Sequence, residues 1–177
     1  MSYRPRKDAP LSLRADRRSA VSVELGLMAI PFFLFLLGTM EVSYDLYAQE
    51  ALDYAAFQAA RLVSVGSVMG PLSNSAFVQQ AVCPTLSGLL GCGYVTAQLN
   101  CVTSGTFYSA QQEAPPSGSG TTINTGLPSQ FMYLQLWYAG PTFLGQLIPG
   151  YANGSFVHFT FSSAGFVNEQ FLGGQQC

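Results

Sequence analysis

The chain carries few side chains able to do covalent or acid–base chemistry: one histidine, His158, and four cysteines, Cys83, Cys92, Cys101 and Cys177. No C-x-x-C occurs, so the cysteines lack the paired spacing of a structural zinc site. No G-x-S-x-G or H-E-x-x-H occurs either, and His158 alternates within an aromatic stretch, where packing is the commoner use of a histidine. The expectation is a protein that is not an enzyme and holds no metal or cofactor. Four cysteines allow three disulfide pairings. We expect a Cys83 to Cys92 bridge closing the loop between them, with Cys101 and Cys177 paired or free.

One further residue stands out by its surroundings. Residues 20–40 are apolar or small apart from Glu24, their only charge, and as a helix they would span roughly 31 Å, the thickness of a bilayer's hydrocarbon core. A soluble helix would need a polar stripe, and residues 25–40 offer no charge on any face. Pro31 removes one helix hydrogen bond, which a membrane helix tolerates as a kink. A carboxylate in lipid is costly unless paired, so Glu24 should seek a cation.

The flanking charges orient this segment. Residues 1–19 hold Arg4, Arg6, Lys7, Arg14, Arg17 and Arg18 against Asp8 and Asp16, six minus two, and after Met40 the only basic residue is Arg61. Positive residues stay on the cytoplasmic side, which puts residues 1–19 inside and everything after 40 outside. A basic leader flanking a membrane helix reads as a topology signal and not as a nucleic-acid site. No A-x-A-like site follows the apolar run, so the segment is expected to be retained.

The expected organisation is thus a basic leader at 1–19, a transmembrane half-helix at 20–40 and an exported head at 41–177. The helix should continue to about Val65, because Ala48, Ala51, Ala55, Ala59 and Leu62 recur at three- and four-residue spacing without Gly or Pro. Glu41, Asp45, Glu50 and Asp53 should keep its other faces wet, with Tyr44 and Tyr47 as interfacial aromatics. A short helix capped by Ser73 or Asn74 should bury Phe77, Val78 and Ala81. Residues 94–102, 131–139 and 155–167 read as strands, rich in aromatic and β-branched residues. In the second, Met132, Leu134 and Leu136 share one face and Tyr133, Gln135 and Trp137 the other. Residues 108–130 and 141–153 read as loops. Exported cysteines are free to oxidise, which suits the bridge.

Only 9% of residues are charged, against about a quarter in a typical soluble domain. Past Arg61 the formal charges are Glu113 and Glu169. Such a head suggests protein neighbours, since net charge normally keeps isolated domains apart.

Several of these residues fall into a known arrangement. Arg17-Arg18-Ser19-Ala20-Val21-Ser22-Val23-Glu24-Leu25, then Ile30-Pro31-Phe32-Phe33, Gly38-Thr39-Met40-Glu41-Val42 and Ala59-Ala60-Arg61 resemble the TadE-like proteins of bacterial tight-adherence pili. The cysteine-bearing stretch 77–101, Leu136-Trp137-Tyr138 and the ending at 164–171 are similar to that family too, with Gln170 where the family often has proline. The resemblance implies a pilin-like α+β fold, a long N-terminal helix with its lower half in the membrane, packed on a small antiparallel sheet. It also implies a minor pseudopilin of the inner membrane with a periplasmic head, whose partners are the pilus assembly machinery and other pilin-like subunits. A prepilin peptidase would cut between Ser19 and Ala20, making Glu24 the fifth mature residue; Ser19 stands where the family prefers glycine, and Leu25 where it usually has an aromatic. The competing expectation is a membrane-anchored periplasmic binding protein or adhesin, with Trp137, Tyr138 and Tyr151 stacking on sugars.

Overall fold

The computed structural model describes residues 17–86, 88, 90–102, 122–142 and 157–169. Its fold is α+β, a long N-terminal helix packed on a three-stranded antiparallel sheet. The chain divides into two compact units, Met1–Thr39 and Met40–Cys177. Helix α1 (Arg17–Ser64) belongs to both and continues through Pro31. It ends where Gly66 takes a positive φ of 73°, a conformation open to glycine without a Cβ penalty.

In the second unit, the sheet is formed by β2 (Val95–Val102), β4 (Phe131–Pro141) and β5 (Val157–Val167), in the order β2-β4-β5 with antiparallel pairing throughout. The register sets Leu99 opposite Leu134 and Leu134 opposite Ala164. Because side chains alternate along a strand, this aligns Val95, Ala97 and Leu99 with Met132, Leu134, Leu136 and Tyr138 on one face. That face packs with Ala48, Leu52, Ala55, Ala59 and Val63 of α1 into one core. The helical spacing of four, three, four and four residues keeps these five on one side of α1. Most are alanine, which lets the helix backbone approach the sheet closely and leaves the bulk to Leu52 and the strand residues.

The core stripe is rotated slightly from the sequence expectation. Ala51 and Leu62 lie at its margin, half-buried, while Leu52, Ala56, Ala60 and Val63 are buried. Glu41 is a correction: it does not wet the helix but is only 4% exposed, because it stands seven residues before Ala48 and so on the same face. Asp45 is half-buried, and Glu50 and Asp53 are exposed.

A second correction concerns residues 108–130. Thr122–Ile123 forms β3, which pairs with β1 (Leu72–Ser73), and Ile123 and Thr125 are buried. Gly126 has φ 72° in the following turn, and a Cβ there would lie 2.7 Å from the Met132 sulfur. Asn168 locks this turn to the end of β5, its side-chain amide donating to the Thr125 carbonyl at 2.8 Å and the Leu127 carbonyl at 3.1 Å. The rest of that expected loop, and most of the one at 141–153, lies outside the described residues.

Helix α2 (Asn74–Phe77) starts where the Ser73 hydroxyl accepts from the Ala76 N–H at 3.2 Å, and runs into a π-helical turn at Val78–Val82. Phe77, Val78, Ala81 and Val82 are buried. Asn74 is buried against the outer edge of β2: its side-chain amide donates to the Ala97 carbonyl and its oxygen accepts from the Ala97 N–H. Along β5, Gln49 donates to the Phe161 carbonyl and Ser64 to the Val167 carbonyl, each at 2.9 Å.

Close packing at the alanine face makes a direct prediction. Ala55→Leu should overpack the interface and destabilise the head by about 1–3 kcal/mol, read as a lower urea midpoint for the detergent-solubilised protein. An unchanged midpoint would mean that α1 does not press on the sheet there.

Candidate functional site

In the first unit, α1 shows apolar side chains on every side. Val21, Leu25, Leu27, Met28, Phe32 and Phe35 are all exposed, and the helix is long and apolar enough to cross a membrane, with none of its most apolar stretch buried. Leaving such a surface in water costs about 25 cal/mol per Å². A surface of this kind is matched to lipid or to other apolar helices. Its polar hydroxyl at Thr39 donates to the Leu36 carbonyl at 2.8 Å, within its own helix. Glu24 is exposed in this unit, four residues and therefore roughly 6 Å along the axis from Ala20. The Ser19–Ala20 bond falls in the first turn of α1.

In the second unit, the polar detail gathers around Tyr138. Its hydroxyl lies 3.0 Å from that of Tyr44, the ring of Tyr94 meets it edge-on at 6.5 Å, and the Gly91 N–H donates to its oxygen. Gly91 has no room for a side chain, since a Cβ would come within 3.0 Å of the Tyr94 ring. Burial raises the pKa of Tyr138 well above the usual phenol range, and the Tyr44 hydroxyl adds to this while the Gly91 N–H opposes it. Next to Gly91, Cys92 is joined to Cys83 by a disulfide with Cα atoms 5.7 Å apart. The bridge ties the end of the π-helical turn to the 3₁₀ turn at Cys92–Tyr94 that leads into β2. Tyr44, half-buried on α1, joins this network through its hydroxyl.

The exposed apolar helix and its single glutamate are the part of the molecule that the family comparison addresses. Residues 20–61 match the TadE-like protein family. The matched segment is 61 − 20 + 1 = 42 of 177 residues, so it covers α1 from Ala20 to its last turn and not the sheet. No curated protein and no solved structure matches the chain. The TadE-like segment contains Ala20, Glu24 and Tyr44, and begins at the residue after the expected peptidase cut.

Other residues singled out by type fall elsewhere. His158 lies in β5 opposite Gly140. Among the described residues no three His, Cys, Asp or Glu side chains are grouped to hold a metal. Trp137 and Tyr138 are each 2% exposed, and Trp137 packs on Phe161 at 5.8 Å, so neither offers a surface for stacking a sugar. Tyr151 and Cys177 lie outside the described residues. Cys101 is disulfide-bonded, and its sulfur is 3.4 Å from that of Met132, the residue opposite it on β4. The Tyr44 to Tyr138 pair was beyond sequence reasoning, because 94 residues separate the two. The one signal for it was a tyrosine one turn before the alanine stripe.

Two outcomes are expected. A folded-state pKa above the unfolded one means that the contribution of Tyr138 is complete below about pH 10 and is lost as pH rises beyond it, because the unfolded chain releases the proton that the folded chain keeps. Tyr138→Phe should therefore lower stability at pH 8 by about 0.5–1.5 kcal/mol per hydrogen bond removed, while flattening the fall above pH 10 in a denaturation series. Separately, peptide mapping without reductant should recover Cys83 and Cys92 in one linked species; two alkylated thiols there would contradict the bridge.

Proposed function

We propose that this chain is a single-pass minor pseudopilin of the TadE-like type, acting in assembly of tight-adherence (Flp, type IVb) pili by helix packing in the bacterial inner membrane. Residues 1–19 are cytoplasmic and the head from residue 41 is periplasmic. The observation that carries this reading is the exposed apolar stretch of α1 with Glu24 as its lone charge, coinciding with a family match that starts at Ala20.

In this role a prepilin peptidase cuts between Ser19 and Ala20, with local opening of the first turn of α1. The new amine of Ala20 is a cation at the membrane surface, and the Glu24 carboxylate of a neighbouring subunit is its partner. Such an attraction is strong where water is excluded and weak where it is not, so it acts when subunits close on each other. The role is structural, and pilus machinery and other pilin-like subunits supply the contacts. An adhesin role is less favoured, because the burial of Trp137 and Tyr138 removes two of its three aromatic platforms.

The test is Glu24→Gln in the native host. Removing a charge from an apolar helix should ease insertion, by up to roughly 3 kcal/mol at the membrane centre and less near its surface, so the variant should accumulate normally in the inner membrane. Surface pili should fall sharply. Unchanged piliation, in a strain where deletion of the protein abolishes pili, would make Glu24 a passive headgroup residue.

A further inference from the structure

Within the second unit, the contacts of Tyr138 identify the end of the head at which α1 enters. Tyr44 stands four residues past Met40, the last residue of the apolar run, and therefore roughly 6 Å farther along the axis. Its hydroxyl meets that of Tyr138 near the end of β4, and Gly140 lies against its ring, where a Cβ would be 3.7 Å away. The other end of the sheet lies by the last turn of α1, where Ser64 donates to the Val167 carbonyl and Val167 pairs with Phe131. Tyr94 is therefore at the entry end, one ring contact from Tyr138.

Tyr94 is held but not covered. Its inner edge packs on Gly91 and Tyr138, and the Cys83 to Cys92 bridge fixes the turn that carries it, yet the residue is 60% exposed. Beside it, Gly93 has no positive φ, and a Cβ there would meet no atom of the protein. A glycine with neither a conformational nor a packing need suits the close approach of a surface from outside. At the same level of α1, Val42 and Leu46 are exposed as well. Among the described residues at this end, the formal charges are Glu41, which is buried, and Asp45, which is half-buried.

We infer that this end of the head docks on the zwitterionic headgroups of the bilayer that α1 crosses, with Tyr94 as the anchor. The inference rests on the membrane role proposed above. The headgroup layer on each side of a hydrocarbon core is about 5–7 Å deep, which is the level that Tyr44 reaches. An aromatic ring with a hydroxyl at its tip suits that layer, the ring lying among ester and acyl groups and the hydroxyl in water. Because the ring is already fixed by Gly91 and Tyr138, little freedom is lost when it docks. Arg61, the head's only lysine or arginine, is seventeen residues beyond Tyr44, roughly 26 Å up the helix. No lysine or arginine at the entry end draws it to anionic lipid, so the docking is indifferent to salt.

Tryptophan reporters test the contact on the full chain in phosphatidylcholine vesicles that carry a nitroxide on either the headgroup or the acyl chain. The background is Trp137→Phe, which removes the native tryptophan. The Trp137 indole N–H makes no hydrogen bond, so phenylalanine there leaves no acceptor unpaired. The same readings with Trp137 kept, and its emission subtracted, guard against a loss of folding. With the headgroup label, Tyr94→Trp should be quenched about twofold more than Tyr54→Trp, whose site is exposed and fourteen residues past Met40, roughly 21 Å up the axis and clear of the headgroup layer. That difference should hold from low to high salt. Phe35→Trp, within the apolar run, should be quenched by the acyl label. Equal quenching of Tyr94→Trp and Tyr54→Trp, with Phe35→Trp quenched, overturns the docking alone. A Tyr94→Trp signal that fades with salt overturns the zwitterionic partner. Phe35→Trp untouched by the acyl label sinks the membrane role, and the docking with it.

Discussion

The contact between the alanine face of α1 and the sheet is what the rest of the head depends on. A three-stranded sheet cannot bury its own apolar face, and Leu134, Leu136 and Tyr138 would stand in water without the helix. Alanine contributes little area of its own, so the stabilisation comes mainly from the strand side chains that it allows to be covered. That division explains how one helix can serve two surroundings. Up to Thr39 its bulky residues point outward on all sides, and from Ala48 its small residues turn to the sheet while Leu46, Tyr54 and Phe57 stay outside.

Charged side chains in the head are few, and a handful of side-chain and backbone hydrogen bonds tie distant pieces of the chain together. Asn168 binds two carbonyls of the 125–127 turn, Asn74 binds the backbone of Ala97, and the Glu169 N–H donates to the Ser64 carbonyl at 2.8 Å. Each spans a long sequence separation, so these bonds form only after the chain has been brought together by apolar burial. They refine the register more than they drive folding, since a neutral hydrogen bond adds only about 1 kcal/mol net. Ion pairs have little scope in a head with so few charges, and the buried Tyr138, whose pKa is raised by burial, is uncharged over the physiological range.

Periodicity made the long helix and the three sheet strands legible in the sequence. The apolar run, the alanine spacing and the two faces of β4 are local patterns that need no knowledge of partners. Other features lay beyond local reading. Glu41 is of a type that ordinarily faces water, and only its position one heptad before Ala48 betrays that it points inward. The strand at Thr122–Ile123 is two residues long within a Ser, Gly and Thr-rich stretch, too short for any alternation to show. Both faces of β4 are buried, Gln135 included at 0% exposure, whereas its alternating pattern establishes burial for at least one face and does not decide the second. Within the candidate site, Glu24 was conspicuous because a charge in an apolar run is rare, but the tyrosine pair was hidden by sequence distance.

The side chains along the sheet margins carry a consequence for how copies of this protein can meet. An uncovered strand invites another strand to add to it, the route by which sheets extend between molecules and by which aggregates grow. Here Asn74 occupies backbone groups of Ala97 on the outer side of β2, and Gln49 and Ser64 occupy carbonyls of β5. At these positions an added strand would find the backbone groups it needs already taken, and would have to displace a side chain of the same molecule to pair there.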